Sequence, residues 1–328
     1  MKKISKALIS VSDKKKLKKV LSVLKKYRIK IISSGGTYGE IKKNGFKCEE
    51  VSNFTKFPEI LDGRLKTLHP KIYAGILNRR DKKSQKIEMK SHNFENIDLV
   101  IVNFYPFEKT ISENKNDDKI IENIDIGGPA MVRAAAKNYK DVTIITKLDQ
   151  YESLIAELNE NKGSTSFAFR QKLSEEAFTE TASYDAMISN YFIKKNKTTF
   201  PYKRIISTNL IEKLRYGENP HQIASLYNYS LSTDLHQLHG KKLSYNNYND
   251  IYAALSTSKS LTNGIGCVIV KHANPCGVSI NKNKVQSFKE ALICDPISAF
   301  GGVVSCNFKI NSRLATELTK TFFEVVIG

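Results

Sequence analysis

No stretch of the 328 residues approaches the twenty or so consecutive apolar residues needed to cross a bilayer. The N-terminus, MKKISKALISVSDKKK, starts basic, but its apolar run is very short and broken by serines. A secretory signal needs a longer apolar region and a small-residue cleavage site, so the expected location is the cytoplasm, with no membrane partner. Cysteine is sparse: five residues, Cys48, Cys267, Cys276, Cys294 and Cys306, stand at wide spacings without a Cys-x-x-Cys pair. An odd number so dispersed fits reduced thiols and argues against a disulfide framework and a zinc site. Internal repeats are also lacking.

What is present is an ordinary globular composition, 41% hydrophobic and 26% charged, in a chain long enough for two domains with real cores. The net charge is +19. Tracts such as Lys14-Lys15-Lys16 and Lys194-Lys195 raise the question of nucleic acid, but no binding motif accompanies them. The basic residues are mostly lysines spread along helices, a pattern of solvated faces. A diffuse positive field of this kind favours small anionic substrates over a specific nucleic-acid partner.

Short apolar runs at Lys6–Val11, Ile29–Ser33, Cys48–Val51, Ile97–Val102 and Val142–Thr146 alternate with helical periodicity, beginning with Leu17, Val20, Leu21, Leu24 and Tyr27. That alternation predicts an α/β domain with a parallel sheet covered on both faces. Ligands of such sheets bind beyond the carboxyl ends of the strands. Polar clusters stand at those ends: Ser12-Asp13-Lys14, Ser34-Gly35-Gly36-Thr37, Asn103-Phe104-Tyr105 and Asp125-Ile126-Gly127. Ser34–Thr37 offers N–H groups, hydroxyls and a helix dipole to a phosphate. Arg64, Lys66 and Thr67, in GRLKTLHPK, add a planar fork, a point charge and a hydroxyl.

The stretch ENIDIGGPAMVRAAAKNY, residues 122–139, reads as a Gly127-Gly128 turn opening a helix, with Pro129 at its first position. Lys137 lies a little over two turns further on and is expected to return a cation to the Asp125 side. From Asp149 to about Asn196 the pattern is helical, with Leu173, Ala177, Phe178, Thr181, Tyr184, Ile188 and Tyr191 as packing residues. KKNKTT followed by Phe200-Pro201 resembles a linker, which divides the chain into 1–199 and 200–328. In the second part a buried strand, Gly266–Val270, runs into Lys271-His272-Ala273-Asn274-Pro275-Cys276-Gly277, a lysine and an imidazole placed for acid/base work.

Taken together, ISVSDK, SSGGT, GRLKTLHPKI, NFYPFE, ENIDIGGPAMVRAAAKNY, RYGENPHQ, VKHANPCG and DPISAFGG resemble, in that order, one bifunctional family of purine biosynthesis. Its members join AICAR transformylase to IMP cyclohydrolase. The resemblance implies a methylglyoxal-synthase-like parallel-sheet domain, followed by part of a cytidine-deaminase-like transformylase domain. Zinc deaminases carry His-x-Glu and Pro-Cys-x-x-Cys. Pro275-Cys276-Gly277 lacks the second cysteine, so no metal is expected.

For the first domain the resemblance implies dehydrative ring closure of 5-formamidoimidazole-4-carboxamide ribonucleotide (FAICAR) to IMP. Ser12, Lys14, Ser34, Gly36, Thr37, Arg64 and Thr67 would bind the nucleotide, and Asn103, Asp125, Ile126 and Gly127 its base. Lys137 would be the general acid/base, with Lys66, Tyr105 and Asp125 completing the proton network. For the second, a formyl group would pass from the co-substrate 10-formyltetrahydrofolate to AICAR. There His272 would take the amine proton, Lys271 would stabilise the intermediate, and Arg215, Tyr216, Asn247, Gly301 and Glu324 would contact the nucleotide. A homodimer is implied as well. The family pattern continues past Gly328, so most folate contacts are expected outside this sequence. The alternatives are a cyclohydrolase-only enzyme, a methylglyoxal-synthase-like phosphate lyase and a basic RNA-binding protein. Against the family pattern, Tyr73 stands in place of a common histidine and Asp62 in place of a common glycine.

Overall fold

Apolar strand runs buried at consecutive positions can satisfy their side chains only if both faces of the sheet are covered. The computed structural model, which describes residues 1–113, 116–228, 235–261 and 264–328, has such a sheet at its N-terminal end. Its strands are β1 (Lys6–Val11), β2 (Lys30–Ser33), β3 (Glu49–Glu50), β4 (Leu99–Asn103) and β5 (Thr143–Ile145). They lie all parallel in the order β3-β2-β1-β4-β5. Ala7, Leu8 and Ile9 are fully buried in succession, as are Leu99 and Val100. The helix Leu17–Lys26 buries Leu17, Val20, Leu21 and Leu24, the face its periodicity predicts.

Two compact units, Met1–Ser207 and Thr208–Gly328, make up the chain. The first extends past the expected 199/200 break for a local reason. Asn190 donates to the Ile205 carbonyl and Ser207 to the Ser183 hydroxyl, so this segment stays with the long helix Phe167–Lys195. The helical pattern expected from Asp149 to Asn196 is two helices, Gln150–Glu160 and Phe167–Lys195. Between them Ser164–Thr165 pairs antiparallel with Lys2–Lys3. Leu173, Ala177, Thr181 and Tyr184 are buried as read, but Phe178 is 38% exposed, under the Arg133 guanidinium at 5.6 Å.

The second unit is a mixed sheet of β6 (Ile265–Lys271), β7 (Asn274–Asn281), β8 (Val303–Cys306) and β9 (Val325–Ile327), ordered β7-β6-β8-β9. β6 pairs antiparallel with β7 and β8, whereas β8 and β9 are parallel. Along β6, Cys267 and Ile269 pack with Phe288 and Ala291, while Val268 and Val270 pack with Ile251 and Ala254. The period of two puts these neighbours on opposite faces, so this sheet too is covered on both sides.

Candidate active sites

Strand order reverses between β1 and β4, and the crevice this creates lies beyond their carboxyl ends. Val11 pairs with Asn103 at that point. The Asn103 side-chain oxygen accepts the N–H groups of Ser12 and Asp13, at 2.6 and 3.0 Å, and its amide donates to the Asp13 carbonyl at 2.9 Å. Asn103, expected to hold a base, clasps the Ser12–Asp13 loop with its side chain. Thr37 is tied to the same strand end. Its hydroxyl donates to the Val11 carbonyl and accepts the Val11 N–H, each at 3.0 Å, and it is 4% exposed. Both residues shape the crevice rather than face into it.

A cationic cradle forms at the start of the helix Gly35–Lys43. Its N-cap residue Ser34 makes no capping bond with its hydroxyl, leaving the first N–H groups open. A side chain at Gly36 would lie 3.8 Å from the Lys14 ammonium, and one at Gly35 would lie 3.6 Å from that of Lys66. Gly35 also sits at φ +51°, where glycine costs least. Two ammonium groups thus stand beside the open start of one helix, an arrangement suited to a phosphate.

Beside the cradle opens a cavity of about 560 Å³ lined by Ser10, Arg64, Lys66, Thr67, Tyr105 and the Asp125–Gly128 turn. The helix Gly127–Lys137 begins at this turn, with Pro129 in its third position rather than its first. Gly127 and Gly128 serve close approach: a Cβ on Gly127 would lie 2.8 Å from the Thr67 hydroxyl. The Asp125 carboxylate accepts the Gly128 N–H at 2.8 Å, and its own N–H donates to the Tyr184 hydroxyl at 2.8 Å. Burial pushes the Asp125 carboxyl above its ordinary range, opposed by the Gly128 N–H and by Lys66. Lys66 lies 3.5 Å from Glu59, and Arg64 is paired with Glu122 through Nε at 3.1 Å.

Lys137 does not join this group. It is the last residue of an eleven-residue helix whose first residue touches Thr67, and at about 1.5 Å per residue it stands roughly 15 Å away along the axis. It is exposed and faces a different cavity, beside Arg79, Tyr139 and Phe167. Within this chain it therefore stands away from the Asp125 side to which the helical spacing is expected to return it. A lysine in the last turn complements the helix dipole, which accounts for its position locally.

Sequence reasoning missed Tyr184, Glu59 and Glu122. Tyr184 carried only a packing signal, and the two glutamates carried none. Tyr73 was noted only as a departure, yet burial pushes its phenol up to about 12, with the Asp125 charge adding. Its hydroxyl is buried without a hydrogen-bond partner among the described residues.

The second unit gathers another set. The Lys271 ammonium donates to the Phe300 carbonyl at 2.6 Å, and a side chain on Gly301 would lie 3.9 Å from it. Glu324 is tied to Gly302 through its N–H at 3.0 Å and accepts a hydrogen bond from the Asn247 amide. Asn247 completes a capping box with Ser244 at the start of the helix Tyr245–Ser260. At 7% exposure and with both ends engaged, Asn247 ties the start of this helix to Glu324. His272 is exposed in the turn from β6 to β7, with φ +54°, and Ala273 beside it donates to Asp250 at 2.7 Å. The Arg215 guanidinium lies 5.4 Å over the Tyr216 ring, and this loop is joined to the same helix by Asn246 donating to the Glu218 carbonyl.

The parallel sheet with its phosphate-ready switch point defines a methylglyoxal-synthase-like domain, and residues 16–130 match the model of the MGS-like domain. Residues 135–328 match the model of the AICARFT/IMPCHase bienzyme, so the chain belongs to that family. It is 44% identical to the bifunctional purine biosynthesis protein PurH of Bradyrhizobium diazoefficiens, over 99% of this chain and 63% of that protein. Against PurH of Persephonella marina it is 46% identical, over 98% of this chain and 64% of that protein. The chain thus spans less than two thirds of the length of these relatives. The crystal structure of ForH matches with a TM-score of 0.52 and 30% identity, covering 57% of this chain and 96% of that one.

Proposed function

We propose that the first unit closes the ring of FAICAR to give IMP and water. The observation that carries this reading is the meeting of Asp125, Lys66, Thr67 and Gly127 beside the Lys14–Ser34 cradle, at the point where strand order reverses. The cradle takes the 5′-phosphate, with Arg64 at its margin. The Asp125–Gly127 turn and Thr67 orient the carboxamide against the formyl group, so that addition occurs within one molecule in a near-attack geometry. Asp125, with its raised carboxyl pKa, accepts the carboxamide proton as nitrogen bonds to the formyl carbon. Lys66 stabilises charge on the former formyl oxygen, which takes one proton back from Asp125 and a second from Tyr105 and leaves as water, while the Tyr105 phenolate recovers the formamide N–H proton as the C=N bond of the ring forms.

The second unit belongs, in this reading, to formyl transfer from 10-formyltetrahydrofolate to AICAR. His272 takes the amine proton, Lys271 steadies the tetrahedral intermediate, and Arg215, Tyr216, Gly301 and Glu324 face the nucleotide. A homodimer and a cytoplasmic location complete the proposal. Assaying the two half-reactions separately on the 328-residue chain tests it. Ring closure lost at least a hundredfold in Lys66→Met supports the reading; a chain unable to close FAICAR would end it.

A further inference from the structure

The amino ends of the strands, opposite the cleft just described, border a cavity of about 760 Å³ that ring closure does not use. Its floor is internally neutral. Lys6 pairs with Glu95 at 2.7 Å and Arg80 with Asp98 at 3.0 Å. Asp98 also accepts the N–H groups of Ser5 and Lys6, at 2.7 and 3.0 Å, while Arg80 donates to the carbonyls of Asp141 and Ile97. Among the described residues the Arg80 Nε is buried without an acceptor.

The rim is not neutral. Lys3, Arg28, Lys30, Lys86 and Lys90 line the same cavity, all are exposed, and none forms an ion pair among the described residues. Lys86 and Lys90 stand four apart on the helix Lys83–Ser91, an arrangement in which like charges repel. A second recess, of about 470 Å³, shares Arg28 and Lys30 with the first and is walled by Ile29, Ile31 and Phe46. A cationic ring thus adjoins an apolar slot with an aromatic side chain at its edge.

We infer that this edge of the first unit binds a nucleoside triphosphate, its phosphates within the Lys3–Lys30–Lys86–Lys90 ring and its base in the Phe46 recess. Five unneutralised cations around one concavity match a compact polyanion of about four charges. The recess supplies apolar and aromatic surface for the base, within the size range of small-ligand pockets. The site lies across the sheet from the Lys14–Lys66 cradle and does not depend on the reaction assigned there.

Calorimetric titration of the full chain with ATP tests the inference. Lys86→Gln/Lys90→Gln weakens ATP binding at least tenfold without lowering the unfolding midpoint. Lys194→Gln/Lys197→Gln, an equal charge change elsewhere on the first unit, leaves it within twofold, as does Lys14→Gln/Lys66→Gln in the cradle. Phe46→Ser weakens ATP several-fold but not inorganic tripolyphosphate. Equal losses in the rim and control pairs would reduce the site to bulk charge, and loss in the cradle pair alone would move binding to the catalytic cleft; either overturns the inference. So would tripolyphosphate binding as tightly as ATP, or affinity for single-stranded oligonucleotides that exceeds that for ATP and grows with length.

Discussion

Asn103 holds Ser12 across the strand pair where the sheet reverses its order, its side-chain oxygen accepting the Ser12 N–H at 2.6 Å. The same oxygen takes the Asp13 N–H, and the amide returns a bond to the Asp13 carbonyl. Lys14, one residue on, lies beside Gly36 in the phosphate cradle, its ammonium 3.4 Å from the Ser12 carbonyl. Asn103→Ala should therefore cost about 2 kcal/mol in urea unfolding, since each such bond contributes roughly 1 kcal/mol net and the freed groups partly rehydrate. It should also raise the KM for FAICAR more than it lowers kcat. Unchanged KM with lowered stability would make Asn103 purely architectural.

The strand ends were legible because buried parallel strands announce themselves as continuous apolar runs, and polar clusters after Val11, Ser33 and Asn103 have few other reasons to recur. Distances along the sequence were less informative. The types of Asn103 and Thr37 suit a ligand contact, but a loop clasp needs the same donors and acceptors, so residue type alone did not show the bonds they make to Ser12, Asp13 and Val11. For Lys137 the spacing gave both turn and height, but not where the far end of that helix packs, beside Arg79, Tyr139 and Phe167. Tyr184, Glu59 and Glu122 could not be found from spacing: Tyr184 meets Asp125 and Glu122 meets Arg64 only after distant segments pack.

Gly128→Ala should damage ring closure with little effect on the fold elsewhere. Its new Cβ would stand 2.3 Å from the Asp125 carboxylate, which must move away. Alanine favours the helix by up to about 1 kcal/mol, so stability is expected to change little while kcat falls at least tenfold. Far-ultraviolet circular dichroism and FAICAR kinetics on the same preparation separate the two effects. A variant with full activity would show that Asp125 tolerates displacement.

The Asp125 carboxyl, raised first by burial, gives a pH dependence of defined sign. A raised folded-state pKa contributes stability that is complete below the unfolded value, near 3.9, and is lost as pH rises through the folded value. Asp125→Asn should thus stabilise the chain at neutral pH and make no difference well below the ordinary carboxylate range. Lys66→Met removes a charge that opposes the shift, so the acid limb of the ring-closure profile should move to higher pH. A limb that stays in place would separate Lys66 from Asp125.

Asn247→Ala tests the second unit. The substitution removes a capping box and the hydrogen bond to Glu324, for an expected loss of about 1–2 kcal/mol in that unit's unfolding. The Glu324 carboxylate would then lose the amide that holds it. Asn247→Asp keeps the oxygen that accepts from Ser244 but sets a carboxylate against Glu324, so it should retain the cap and still loosen the Glu324 contact. Equal destabilisation by both variants would count against the cap as the larger contribution.

Thiol chemistry offers a check on packing that needs no substrate. Cys267 and Cys306 face each other across β6 and β8, sulfur to sulfur at 3.9 Å, and both are buried. The Cys267 thiol is pushed up by its hydrogen bond with Cys306 and by burial, so the pair should resist a disulfide-exchange reagent in the folded chain. Burial also pushes Cys48 up to about 12 and raises Cys276. Cys294 alone is exposed. One thiol per chain should react rapidly, and peptide mapping should place it at Cys294, with all five reacting after denaturation. Early labelling of Cys267 or Cys306 would mean that β6 and β8 separate readily, and the Lys271 end of β6 could not then be held as described.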